Sequence, residues 1–171
     1  LSDPEGNGLE IYADRPRDMW QYTADGSVKM ATLAVDVHSM MDEAPQAMFT
    51  GLPDGTTMGH VHLQVRDKEE TIAFYRDVVG FDLMADWPGA GFLGVGGYHH
   101  HLGTNVWRSA GSNPPPPGSL GLLSYTLILT DRDALIARLE QHNHPLDLSG
   151  DHPTTVDPAG NTIILMEAST Q

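Results

Sequence analysis

The sequence predicts an α+β fold made of two related halves, each consisting of a strand, a helix and three further strands. A segment that begins at Gly59 has the same order of apolar runs and turns as a segment that begins at Leu123. The two segments align when Asp67 is set against Asp131. Their apolar residues recur at the spacings typical of strands and helices. A proline-rich run at 112–119 cannot hold a strand ladder and therefore marks the loop between the halves.

The first element of the module is a strand in the run HVHLQV, residues 60–65. Side chains alternate between the two faces of a strand. His60, His62 and Gln64 therefore share one face, and three apolar side chains share the other. We expect the apolar face to pack under a helix, which leaves both histidines on the open face.

A helix and three strands follow in each half. Asp67 and Asp131 are the predicted N-caps, and Gly80 is the predicted C-cap of the first helix. The apolar residues at helical spacing are Ile72, Phe74, Tyr75 and Val78 in the first helix and Leu135, Ile136 and Leu139 in the second. The strand segments are FDLMAD, GFLGVGG and YHHHLGTNVW in the first half and NHPLDLS, HPTTVDP and NTIILME in the second.

A second repeat lies at the two ends of the chain. Residues 3–9 read DPEGNGL and residues 157–163 read DPAGNTI, and each Asp-Pro-x-Gly-Asn turn precedes a strand-like run. The predicted organisation is the last strand of a mostly absent module at 1–13, a linker with short helical turns at 14–57, and a complete module at 58–171. That module divides into a βαβββ half at 58–109, a loop at 110–119 and a second half at 120–168.

Composition restricts the classes of partner. The chain carries 9 Lys and Arg against 23 Asp and Glu, a net charge of −14, which disfavours nucleic acid and anionic membrane surfaces. The sequence has no apolar run near the roughly 18 residues of a membrane span. Cysteine is absent, so a transition metal would have to bind imidazole and carboxylate, and the cytoplasm is the expected compartment.

The doubled βαβββ pattern, the phrases GHVHLQV and GGYHHHLGTNVW, and the Asp-Pro-x-Gly-Asn endings resemble the vicinal-oxygen-chelate superfamily. This group includes glyoxalase I, extradiol dioxygenases and antibiotic-resistance proteins, and the similarity is greatest to two-module catechol 2,3-dioxygenase-like proteins. The resemblance implies a cupped, incompletely closed mixed β-sheet barrel with the helices outside. It also implies a divalent metal on the concave face that chelates two neighbouring oxygens of a substrate.

The resemblance implies site residues position by position. His60 falls at the first-strand ligand position of this module, and His99 or His101 is the candidate ligand on the fourth strand. Pleating of that strand would place these two on one face and His100 on the other. Glu10 falls where the family has its carboxylate ligand at the end of the preceding module. The second half departs from the dioxygenase pattern, with Ser124 and Ile164 at its two ligand positions.

The leading functional prediction is an Fe(II)-dependent extradiol-type dioxygenase that acts on a small aromatic diol. The candidate metal ligands are Glu10, His60, His99 and His101, and His60, His62 or His101 would move protons. One alternative is a glyoxalase- or isomerase-like enzyme with Zn(II), Ni(II) or Mn(II). The other is a non-catalytic module for binding small molecules or for dimerisation. Whatever the activity, the resemblance implies that the module pairs with a second copy of the chain or with the missing N-terminal module.

Overall fold

The computed structural model describes residues 1–116 and 118–169. Its main elements are eight strands and three α-helices. Each half contains four strands and one α-helix, as predicted, and the remaining helix, α1, lies in the segment before them. The strands are β1 (Val61–Gln64), β2 (Asp82–Trp87), β3 (Ala90–Gly94), β4 (Leu102–Asn105), β5 (Ser124–Leu129), β6 (Leu146–Asp147), β7 (Thr154–Val156) and β8 (Thr162–Glu167). The helices are α1 (Val37–Glu43), α2 (Lys68–Ala73) and α3 (Arg132–Gln141).

The strands form two four-stranded mixed sheets with the same topology. The first has the order β1-β4-β3-β2 and the second the order β5-β8-β7-β6. In each sheet the first and last strands of the half run parallel, and the remaining pairs are antiparallel. The α+β class and the repeated βαβββ arrangement are thereby confirmed.

The helices begin where the sequence predicts them to begin. The carboxylates of Asp67 and Asp131 accept backbone N–H bonds at 3.0 and 2.9 Å from the residues three positions on. Helix α2 continues as a π-helical stretch, Phe74–Val79. It ends at Gly80, whose φ of 95° lies in the left-handed region that glycine adopts readily.

One hydrophobic core serves both halves. It contains the apolar faces of both sheets together with the inward faces of α2, its π-helical continuation and α3. Leu63 and Val65 of β1 are buried there, as are Leu135 of α3 and Ile163 of β8. The opposite face of β1 is consequently turned away from the core, as the alternation predicts.

Two predicted strands differ from the structure. Strand β4 spans only four residues, and residues 98–101, which include the histidine triplet, form a loop. Gly96 and Gly97 adopt φ values of 61° and 68°, which turn the chain after β3. The loop then folds over Gly94, where an added Cβ would lie 2.5 Å from the Tyr98 carbonyl oxygen. Strand alternation therefore does not apply to the triplet.

The N-terminal segment forms turns, but the strand predicted within residues 1–13 is not formed. Residues 9–13 pair with none of the described strands, and a strand without a neighbour cannot satisfy its backbone groups. The turn at residues 3–7 closes as predicted, and Ser2 and Gly8 form an isolated bridge beside it. A 3₁₀ turn lies at Arg17–Met19. Among the described residues, no helix combines the length and apolar character needed to cross a membrane.

The two Asp-Pro-x-Gly-Asn turns share a hydrogen-bond pattern but differ in burial. Asp157 accepts backbone N–H bonds from Ala159 and Asn161 at 3.0 and 2.8 Å, and Asp3 accepts two in the same way at 2.9 and 2.8 Å. Asp157 is only 4% exposed and also accepts a bond from the Tyr75 hydroxyl at 2.9 Å. The later turn is therefore fastened to the helix of the other half.

We predict that Asp157→Ala lowers the free energy of unfolding by about 2–4 kcal/mol, because it removes the bond from the buried Tyr75 hydroxyl, leaving it only its Tyr125 partner, and leaves the N–H groups of Ala159 and Asn161 without their acceptor. The matched control is Asp3→Ala, which removes the same local bonds from an exposed turn. Urea unfolding of both variants measures the difference. Equal destabilisation by the two substitutions would contradict the role given to Tyr75.

Candidate functional site

A cavity of about 720 Å³ lies on the face of the first sheet that points away from the core. Its walls combine imidazole, carboxylate and aromatic groups from this sheet with residues of the N-terminal segment. The residues that matter for its chemistry are Glu10, His60, His62, Phe92, His100, Asn105 and Trp107. A cavity that combines aromatic walls with polar groups is typical of a site for a small organic molecule.

His60 enters the cavity from the residue just before β1. Its Nε2 lies 3.2 Å from a carboxylate oxygen of Glu10, and its Nδ1 lies 3.2 Å from the Tyr12 hydroxyl. The His60 side chain is 9% exposed, whereas that of Glu10 is 74% exposed. Gly59 makes this approach possible, since an added Cβ would lie 2.0 Å from the Tyr12 hydroxyl oxygen.

His62 is held by the neighbouring strand. The Asn105 Nδ2 donates to His62 Nε2 at 2.9 Å, and Asn105 Oδ1 accepts the backbone N–H of Trp107 at 3.2 Å. The second bond fixes the orientation of the amide, so His62 Nε2 must act as an acceptor. Gly103 leaves space for the ring, since an added Cβ would lie 2.8 Å from His62 Nδ1.

The rings of the three histidines in the triplet lie in three different environments. His100 lines the cavity, with its ring 4.4 Å from that of His60 and 5.1 Å from that of Phe92. His99 points to the N-terminal segment, where its Nε2 lies 2.9 Å from Asp14. The ring of His101 lies 4.6 Å from that of Tyr98, and its Nδ1 accepts the Val95 N–H at 3.3 Å.

The predicted face assignment within the triplet was therefore wrong. His100, assigned to the outer face, is the member that the structure brings to the cavity beside His60. His99 and His101 do not line this cavity. The cause is the loop conformation of residues 98–101, which removes the two-residue alternation on which the assignment depended.

The N-terminal segment fastens the triplet loop in place. Arg17 donates to the Gly96 carbonyl at 2.7 Å and stacks over the rings of Trp20 and Tyr98. The Trp20 ring also lies 5.3 Å from that of His99. Arg17 and Trp20 belong to the segment that the sequence predicts to be a linker. The mixture of aromatic and charged side chains in YADRPRDMW is the sequence signal of their contacts.

Burial determines the protonation state of the cavity histidines. Burial, together with the neighbouring imidazoles, His60 first among them, lowers the pKa of His100 to about 3. Burial also lowers the pKa values of His62 and His101. Partial burial would raise the pKa of Asp14, but hydrogen bonds from His99 and Tyr98 lower it overall. At neutral pH the cavity therefore holds a neutral His100.

The equivalent positions of the second half lie outside this cavity. Ser124 and Ile164 belong to β5 and β8 and do not contribute to its walls. Glu167 lies at the exposed end of β8, where its carboxylate accepts the Arg132 N–H at 3.1 Å. Ser124 and Ile164, which stand at the family's ligand positions in the second half, therefore lie away from the cavity as well.

Two of the described residues have the donor spacing that a metal ion would require. Two atoms that each lie about 2.1 Å from one metal ion at a right angle are about 3.0 Å apart. The 3.2 Å separation of His60 Nε2 and Glu10 Oε2 matches that spacing. Within residues 1–116 and 118–169, however, no three histidine or acidic side chains form a group that could hold a metal. The described residues therefore supply two adjacent donors and do not complete a centre.

Comparison with known proteins adds to this geometry. The family model described as the Glyoxalase/Bleomycin resistance protein/Dioxygenase superfamily matches residues 57–165. A catechol-2,3-dioxygenase from Bacillus subtilis (strain 168) is 46% identical over 137 residues. That match covers 79% of this chain and 48% of the relative, so the chain spans about half the relative's length.

Two solved structures have the same fold over most of their length. Lactoylglutathione lyase from Agrobacterium tumefaciens superposes with a TM-score of 0.52 at 24% identity, covering 68% of this chain and 96% of that one. TnmS3, an antibiotic-binding protein from Streptomyces sp. CB03234, superposes with a TM-score of 0.51 at 29% identity. The second match covers 69% of this chain and 100% of the other.

We predict that acidification destabilises the protein through His100. Its pKa in the fold lies below the unfolded value of about 6.5, so only the unfolded chain takes up this proton between pH 6.5 and 5. The contribution of His100 is fully present above pH 6.5. It falls by about 2 kcal/mol on reaching pH 5.

Urea unfolding at pH 7, 6 and 5 tests this prediction. The His100→Phe variant should lose less stability over this interval than the wild type. His38→Gln, at an exposed position of α1, serves as the control and should follow the wild type. Parallel curves for wild type and His100→Phe would show that His100 titrates normally in the fold.

Proposed function

Because the chain belongs to the Glyoxalase/Bleomycin resistance protein/Dioxygenase superfamily, we propose that it forms part of an extradiol-type dioxygenase acting on a small aromatic diol. The single observation that carries the proposal is the 46% identity with a catechol-2,3-dioxygenase across 137 residues. That identity covers about half of the relative, so the activity is proposed for the full-length protein.

The cavity suits an aromatic ring with two neighbouring hydroxyl groups. Phe92 and Trp107 provide apolar walls, and the rings of both lie 6.1 Å from that of His62. Glu10 and His100, on either side of His60, place acceptor atoms in the same space. A planar ring can thus pack against the aromatic side chains while its hydroxyls face these acceptors.

We propose that Glu10 and His60 bind an Fe(II) ion and that a third ligand comes from outside the described residues. The adjacent donor atoms support this assignment, and imidazole with carboxylate is the ligand set of non-haem Fe(II) oxygenases. A bound metal would supply Lewis acidity, and iron would add redox chemistry. Zn(II), Ni(II) or Mn(II) would instead favour a glyoxalase- or isomerase-like reaction that needs no oxygen.

The residues of this chain would bind and orient the substrate. His60 and Glu10 would hold the oxygen-bearing edge of the ring, while the aromatic walls limit its tilt. His62 is occupied by Asn105, which fits it better for shaping the wall than for moving protons. The catalytic roles predicted for His62 and His101 stay predictions. His101 lies away from the cavity.

A second candidate is a binding module without catalysis. It is favoured by the similarity to TnmS3, an antibiotic-binding protein. In that case the cavity would bind an aromatic compound with the same affinity in the presence of a metal chelator. Turnover that requires both added Fe(II) and oxygen would exclude this alternative.

We predict that Glu10→Ala and His60→Ala each reduce Fe(II)-dependent, oxygen-dependent catechol cleavage by the full-length protein by about 100-fold or more, because each removes a metal ligand. Glu5→Gln is the matched control, since Glu5 is an exposed carboxylate on the same segment. Iron content, measured after gel filtration, should fall in the two alanine variants only. Retained iron and activity in both would show that the metal lies elsewhere.

A further inference from the structure

Three side chains outside the proposed metal ligands form a continuous hydrogen-bonded row. Asp14 Oδ1 lies 2.9 Å from His99 Nε2, and His99 Nδ1 lies 2.9 Å from His100 Nδ1. The row begins on the N-terminal segment, where Asp14 is 39% exposed, and ends at His100 in the cavity wall, only 9% exposed. It joins segments that are 85 residues apart in the sequence.

The Asp14 carboxylate determines which atom donates and which accepts in each hydrogen bond of the row. An ionised carboxylate can only accept a hydrogen bond, and the low pKa of Asp14 keeps it ionised. His99 Nε2 must therefore carry the proton that it donates to Asp14. In a neutral imidazole the other nitrogen is then an acceptor, so His99 Nδ1 accepts from His100.

The rule that a neutral imidazole has one donor and one acceptor nitrogen also determines the tautomer of His100. His100 donates from Nδ1, and as a neutral imidazole it must carry a lone pair on Nε2. Among residues 1–116 and 118–169, no hydrogen-bond partner occupies this atom. The neighbouring rings of His60 and Phe92 place His100 within the wall of the cavity rather than behind it.

We propose that Asp14 and His99 are positioning residues that hold His100 in its Nδ1–H tautomer, so that Nε2 accepts a hydrogen bond from a hydroxyl group of the bound molecule. The row excludes the opposite tautomer, which would present a donor to the cavity. The site therefore selects compounds with a free phenolic hydroxyl over methylated analogues. The row itself is independent of the reaction, and only the choice of a phenol as ligand depends on the proposed function.

The structure also explains why the N-terminal segment carries this role. Arg17 and Trp20, from the same segment as Asp14, contact Gly96 and His99, which holds the Asp14 carboxylate beside His99. The Tyr98 ring stacks on His99 at 4.1 Å and restricts its rotation. The tautomer of His100 is thus set by Asp14, a residue that does not itself line the cavity.

The direct test is ¹⁵N NMR of the histidine-labelled chain at pH 8, above the ordinary histidine pKa of about 6.5. We expect His100 to show a protonated Nδ1 and an unprotonated Nε2. Asp14→Ala should give a mixture of tautomers at His100, whereas Asp18→Ala, an exposed carboxylate on the same segment, should not. His99→Phe breaks the row independently. A protonated Nε2 in the wild type, or an unchanged tautomer in both Asp14→Ala and His99→Phe, would overturn the proposal.

Ligand selection is tested with catechol and 1,2-dimethoxybenzene in the presence of a metal chelator. The wild type should bind catechol about 10-fold more tightly, and His100→Phe should reduce this preference to about 2-fold or less. Equal preference in wild type and His100→Phe would overturn the acceptor role. If the full-length protein fails to cleave catechol while the tautomer and the preference are as expected, only the proposed dioxygenase function fails.

Discussion

The shared core is the constraint on which the rest of the structure depends. Both sheets, α2 with its π-helical continuation, and α3 bury their apolar faces against one another, and Leu63 and Val65 commit one face of β1 to that interior. Because strand side chains alternate, the other face of β1 must open away from the core. His60 and His62 reach the cavity as a direct consequence of this burial.

The second organising feature is the contact between the N-terminal segment and the triplet loop. Arg17 and Trp20 hold the loop, while Tyr12 and Glu10 approach His60 from the same segment. The cavity is thus assembled from the first sheet and a stretch of chain with little regular structure. Such a segment can adapt its side chains to a site because it has no ladder to maintain.

The two halves share a topology but not a chemistry. The first half presents imidazoles and aromatic rings on its open face, whereas the second half has Ser124 and Ile164 at the corresponding positions. The two Asp-Pro-x-Gly-Asn turns show a parallel divergence, since one is buried against Tyr75 and the other is exposed. Repetition therefore supplied the scaffold, and burial and substitution gave each copy its own role.

The sequence by itself determined the βαβββ repeat, the Asp67 and Asp131 caps and the face of His60, because each depends on local spacing that a few residues set. Only the tertiary structure decided which triplet histidine meets the cavity, since glycines turn residues 98–101 out of the strand pattern. It also decided that Glu10 meets His60 and that Asp14 meets His99. Such contacts depend on how distant segments pack, and local periodicity carries no information about that packing.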